Sequence, residues 1–159
     1  QIWAKVASSY PDWSLHIYGS GWMLDGLKRQ AQDLGISSQV VFEGAVSNME
    51  EAYRSSSIYV MTSHFEGLPM VLLEAQASGL PIVSYACPSG PKDIVSDGVD
   101  GYLVPPYDHK AFQERLQTLM SNEDLRVQMG KAAVLASQRY DETSIMERWV
   151  NLFTELSQG

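Results

Sequence analysis

The sequence holds a single cysteine, Cys87, which excludes an internal disulfide and a CxxC metal site and fits a reducing compartment. The expected location is cytoplasmic. Positive charge is also scarce: 11 Lys+Arg stand against 19 Asp+Glu, a formal net charge of −8. Such a chain has no general attraction for nucleic acid or an anionic membrane, so any polyanionic ligand has to be met by local positive potential. No apolar run approaches the ~20 residues that cross a bilayer, and the opening Gln1-Ile2-Trp3-Ala4-Lys5-Val6 is not a signal peptide. Fixed-period repeats, low-complexity tracts and dividing linkers are absent as well, so residues 1–159 read as one domain.

What is present fits a compact fold. Hydrophobic residues make up 45% of the chain, with 12 Gly and 7 Pro, a composition of globular rather than disordered or fibrous proteins. Ile2 to Tyr10 predicts a helix, stopped by Pro11. Short β-type runs then follow at Leu15 to Tyr18, Val40 to Phe42, Ile58 to Met61, Leu80 to Ser84 and Tyr102 to Val104. Between them lie helical patterns at Met23 to Leu34, Met49 to Arg54, Pro69 to Ser78 and Lys92 to Ser96. The alternation predicts an α/β fold, a Rossmann-like parallel sheet with helices on both faces. After Pro105-Pro106 the pattern is wholly helical, over about 108–157, in three stretches: Asp108 to Met120, Glu123 to Arg139 and Thr143 to Leu156. In the last, Ile145, Trp149, Leu152, Phe153 and Leu156 share one face, which is expected to be core or a docking face for another domain.

Open parallel sheets bind ligands beyond the carboxyl ends of their strands. Two constellations fall there. Gly19-Ser20-Gly21 lies between a strand and a helix, where glycines admit a ligand to the backbone and a helix N-terminus offers free N–H groups to phosphate. A dinucleotide fingerprint wants a third glycine where Leu24 stands, although Glu43 ends the next strand where a ribose-binding carboxylate is expected. A tight turn without ligand is equally consistent with this loop.

The second constellation is His64-Phe65-Glu66-Gly67-Leu68-Pro69-Met70-Val71-Leu72-Leu73-Glu74. Pro69 is expected as the first helical residue, which leaves the N–H groups of Met70 and Val71 as unpaired donors for a phosphate or sugar oxygen. Ionised Glu66 and Glu74 would repel an anion but accept from hydroxyls. A ligand bearing both hydroxyls and phosphates, such as a nucleotide sugar, satisfies both halves. The bland alternative makes Glu66 a turn residue and Glu74 a solvated helix position.

These segments together resemble the carboxyl-terminal, donor-binding domain of the group 1 glycosyltransferases, retaining enzymes of the GT-B architecture. The likeness runs through Leu15 to Gly21, Val40 to Val46, Ser63 to Pro69, Leu73 to Val83, Gly90 to Val95 and Asp97 to Val104. It implies that Glu74 accepts hydrogen bonds from ribose hydroxyls. Glu66 would be the catalytic carboxylate beside the transferred sugar. Gly67, Leu68, Pro69, Met70 and Val71 would line the donor, the backbone N–H groups of this stretch meeting sugar hydroxyls and diphosphate. Gly19 and Gly21 would let the first loop approach the donor, and Val46 would border the base. The implied reaction transfers a sugar, with retained configuration, from a nucleoside diphosphate to a hydroxyl acceptor, with no cofactor and no obligatory metal.

The likeness also implies what is missing: a first strand, an Arg and a Lys that neutralise the diphosphate, and an acceptor-binding domain through which peripheral membrane contact would run. The fragment is therefore expected to bind donor weakly and not to turn over. Rival readings are a dinucleotide-dependent oxidoreductase built on Gly19, Gly21 and Glu43, and a non-catalytic binding module on the same fold. A metal site of His64, Glu66 and Glu74, and a nucleophilic Cys87, are weaker alternatives, because no further ligands or activating groups stand at suitable spacing.

Overall fold

A computed structural model describes residues 1–158. Helix α1 (Ile2–Val6) passes into a 3-10 turn at Ala7–Ser9, followed by β1 (Leu15–Tyr18), α2 (Leu24–Asp33), β2 (Val40–Gly44) and α3 (Met49–Arg54). Then come β3 (Tyr59–Met61), α4 (Met70–Ala77), β4 (Ile82–Tyr85), α5 (Pro91–Ile94) and β5 (Gly101–Val104). The chain ends in α6 (His109–Ser121), α7 (Glu123–Ser137) and α8 (Glu142–Ser157). The first helix is shorter than its pattern predicts, because Ala7-Ser8-Ser9 tightens into the 3-10 turn. Serine competes for backbone hydrogen bonds and so favours helix ends.

The α/β class holds, and all strand pairs are parallel, but the single sheet expected is two. β1 pairs with β2, and β3, β4 and β5 form a second sheet with β4 in the middle. In the doubly wound order 3-2-1-4-5-6, β1 to β5 take places 2 to 6. Place 1, between β1 and β3, holds no strand among the described residues.

Helices cover both faces of the three-stranded sheet. Ile82 joins Leu72, Ala75 and Ile94 on the α4 and α5 side, whereas its neighbour Val83 joins Tyr85, Val104, Phe112 and Leu119 on the α6 side. This is the two-residue alternation of a strand buried on both faces. Helix α1 ties the two sheets together: Trp3, Val6 and Ala7 pack with Leu116 and Met120 of α6 and touch Leu15, Val40 and Val60. Gln39 clasps the turn after α1, its amide nitrogen donating to the carbonyls of Ala7, Tyr10 and Trp13 at 3.0–3.1 Å. Helix α7 lies so close to the turn before β4 that a Cβ on Gly130 would collide with the Gly79 carbonyl.

The apolar stripe of α8 is not core. No residue of this helix is buried, and Trp149, Leu152, Phe153 and Leu156 are all exposed, with Trp149 and Phe153 stacked on each other at 5.5 Å. Spacing identifies an apolar face but not what covers it.

Candidate functional site

The second loop constellation emerges from the three-stranded sheet, between β3 and α4. Glu66 is half-buried in this loop and Glu74 lies exposed in the second turn of α4. Two tyrosines absent from the sequence reading complete the cluster. Tyr53 of α3 donates its hydroxyl to Glu74 Oε2 at 2.8 Å, which fixes that carboxylate's rotamer and leaves Oε1 to accept from a ligand. Tyr59 of β3 lies 6.0 Å from the Tyr53 ring. Its pKa is pushed up to about 12, by burial first and then by the charges of Glu74 and Glu66. The Tyr53 hydroxyl is also raised, by burial first and then by its hydrogen bond to Glu74. Tyr59 thus feels the charges of both glutamates.

Helix α4 has the features of an anion-accepting end. Pro69 is its N-cap rather than its first helical residue, because its ψ of 97° is extended although the ring-fixed φ of −73° suits either position. No side chain caps this helix and no acidic residue stands in its first turn, so the leading N–H groups face outward unopposed. By contrast α3, α6, α7 and α8 are capped by Asn48, Asp108, Asn122 and Asp141. Helix α2, after Gly19 and Gly21, is also uncapped, yet Asp25 stands in its first turn and would repel phosphate.

The loop after β4 braces this helix start. Ser89 donates its hydroxyl to the Glu66 carbonyl at 2.7 Å. Gly90 has φ +86°, and a Cβ there would stand 2.6 Å from both the Gly67 carbonyl oxygen and Pro69 Cδ. Only glycine supplies that conformation and that approach. On the near side of Glu66, the His64 ring stacks on Tyr107 at 4.1 Å and on Tyr85 at 5.6 Å. Leu68, Met70 and Val71 are exposed around the mouth.

The first loop constellation belongs to the other sheet. The Gly19 N–H donates to the Gly44 carbonyl at 2.7 Å, which draws the loop carrying Gly19 and Gly21 towards the one carrying exposed Val46. Glu43 is already engaged: its Oε1 lies 2.7 Å from His16 Nδ1, and His16 Nε2 lies 2.9 Å from Ser14 Oγ. That contact holds Oε1 and leaves Oε2, just as Tyr53 leaves Glu74 Oε1, so the case against the oxidoreductase reading rests on the third glycine it lacks at Leu24. His64, Glu66 and Glu74 do not converge as a metal site; among the described residues no three His, Cys, Asp or Glu side chains do. Cys87 is fully buried, its thiol directed at the Ser89 carbonyl at 3.6 Å, a structural position without an activating base.

Comparison with known proteins identifies the family and the fold. The sequence pattern of the family described as glycosyl transferases group 1 matches residues 1–135. An uncharacterized glycosyltransferase of Haemophilus influenzae is 38% identical over 149 residues, 94% of this chain and 42% of its own length. A lipopolysaccharide 1,6-galactosyltransferase of Salmonella typhimurium is 33% identical over 122 residues, 74% of this chain and 34% of its own. The fold superposes with a TM-score of 0.89, at 26% identity, on a crystal structure of an S. aureus TarM mutant in complex with Fondaparinux, alpha-GlcNAc-glycerol and UDP; 96% of this chain and 31% of that one are covered. The chain therefore spans less than half the length of these relatives, matching one part of a GT-B enzyme. With the pattern extending over most of its length, the chain belongs to the group 1 glycosyltransferases.

Proposed function

We propose that this chain is the donor-binding lobe of a retaining glycosyltransferase. It takes a nucleoside diphosphate sugar, and the parent enzyme passes the sugar to a hydroxyl acceptor held by a part of the protein outside these residues. The observation that carries the reading is the cluster at β3 and α4: two carboxylates for hydroxyls flank a helix start that is uncapped and free of acidic residues. Glu74, pre-set by Tyr53, accepts from the ribose hydroxyls through Oε1. Glu66 bonds the transferred sugar and supports positive charge at the reacting carbon. The N–H groups opening α4 take up charge developing on the leaving diphosphate, which is where electrostatic stabilisation lowers the barrier. Gly19, Gly21 and Val46 border the rest of the donor.

The chemistry asks for no cofactor, and the two carboxylates act on hydroxyls without a metal. The names of the relatives favour polysaccharide or glycolipid synthesis. No helix of the described residues is long and apolar enough to cross a membrane; on the lone Cys87, which fits a reducing compartment, we place the chain in the cytoplasm. The exposed face of α8 with Trp149 and Phe153 is our assignment for contact with the acceptor domain. The lobe alone binds donor weakly and does not turn over, since the diphosphate-neutralising Arg and Lys implied by the family are not among its site residues.

Ligand-observed NMR against UDP, GDP, ADP and NAD tests the reading. A nucleoside diphosphate should bind, and Glu74→Ala should weaken it about 10- to 100-fold, the worth of hydrogen bonds to a charged group. A preference for NAD that is indifferent to Glu74→Ala would overturn the proposal in favour of the oxidoreductase.

A further inference from the structure

Tyr107 is the one non-glycine residue among those described with a positive φ, +68°. Bulky side chains avoid that region, so the surrounding structure has to hold this one in it. The turn itself does not ask for an aromatic residue. Its hydrogen bonds run from the Asp108 N–H to the Pro105 carbonyl at 3.1 Å and from the His109 N–H to the Tyr107 carbonyl at 2.9 Å, and a glycine would serve both. What the ring adds is the stack on His64, with planes only 15° apart at 4.1 Å. His64 in turn stacks on Tyr85, which is 1% exposed and meets Phe112 of α6 edge-on at 5.2 Å. Three rings in series therefore join the carboxyl ends of β3, β4 and β5, with a rigid core residue at one end and a 70% exposed ring at the other.

We infer that Tyr107 is a positioning residue that clamps His64 and thereby holds the loop carrying Glu66. Ser89 and Gly90 brace that loop from Glu66 onward; the ring series braces it two residues before. Glu66 is thus held from both sides, and the strained backbone at Tyr107 is the cost of the second hold. The effect on sugar transfer rests on the donor reading above, whereas the effect on loop order does not.

The test uses the ligand-free chain. In Tyr107→Gly the ring is gone and the φ is easy, so thermal stability should be unchanged or higher. The backbone amide order parameters of Phe65, Glu66 and Gly67 from 15N relaxation should nevertheless fall from about 0.85, the value of a held backbone, to below about 0.6. Tyr107→Phe should keep the high values, and His64→Ala should reproduce the glycine variant. Unchanged order parameters at these residues in Tyr107→Gly, or a general loss of stability in place of the local effect, would overturn the clamp. UDP affinity measured on the same variants separates the two claims. If UDP fails to bind the unsubstituted chain the donor reading falls, while the relaxation data still decide the clamp.

Discussion

The two sheets are made of the same kind of short, apolar, parallel strand and differ in what covers them. Every residue of β4 is buried, whereas β1 and β2 leave His16, Val41 and Glu43 exposed at alternate positions. β4 has a strand on each side and helices on both faces; β1 has a partner on one edge only. Burial in a doubly wound sheet therefore comes from neighbours, not from strand sequence. The contrast also ranks the candidate loops. The glutamate loop and α4 rise from the well-covered sheet, and the Gly19 loop rises from the thinly covered pair. Core truncations measure the difference. Ile82→Ala removes a fully buried side chain from β4 and should cost about 2–5 kcal/mol, a large share of a typical domain's stability. Leu15→Ala, half-buried at the rim of the α1 cluster, should cost about 1 kcal/mol. Urea unfolding of both variants checks this, and equal costs would break the comparison.

A glycine in each half sharpens it. Both Gly19 and Gly90 have positive φ, but a Cβ at Gly19 meets nothing within 4 Å, while one at Gly90 meets the Gly67 carbonyl and Pro69. Gly90→Ala should therefore cost about 2–3 kcal/mol, conformational strain plus overpacking, and should displace the start of α4 enough to abolish nucleotide binding. Gly19→Ala should carry only the strain of about 1 kcal/mol. Calorimetric unfolding combined with the UDP titration reads both quantities. Comparable losses from the two variants would mean that the loops share the ligand equally.

Element by element, much of this was legible beforehand. Gly35, Gly79 and the prolines punctuate the chain, so the existence of all five strands and the helices between them could be read from local pattern. Ends were harder, as Pro69 shows: its ring sets φ and not ψ, so cap and first helical turn look alike in sequence. The carboxylates Glu66 and Glu74 were visible because they lie eight positions apart on one strand-loop-helix unit. Tyr53 was not, because its bond to Glu74 spans 21 positions and two elements. The division into two sheets and the uncovered stripe of α8 were also out of reach. Both concern what lies beside an element, and a chain's own periodicity reports only which of its faces wants a neighbour.

The smallest expected effect sets a tyrosine from each half against the other. Tyr59 of β3 is pushed up to about 12 by burial and then by Glu74 and Glu66; Tyr18 of β1 is raised by burial and then by Glu43. A tyrosine with a raised folded pKa contributes stability that is complete below its unfolded value of ~10. That contribution drains away as the pH rises through the folded value, which for Tyr59 is about 12. The folded chain should accordingly weaken across this alkaline window. Glu74→Gln removes a charge that Tyr59 feels and should move the upper edge of the window down, without returning it to the unfolded value, because burial is the larger cause. In a phenolate absorbance titration Glu74→Gln should lower Tyr53 and Tyr59 and leave Tyr18 alone, and Glu43→Gln should do the reverse. A shift of Tyr18 on changing Glu74 would mean that the two halves share one electrostatic site, and the separation of the glutamate cluster from the Gly19 loop would have to be given up.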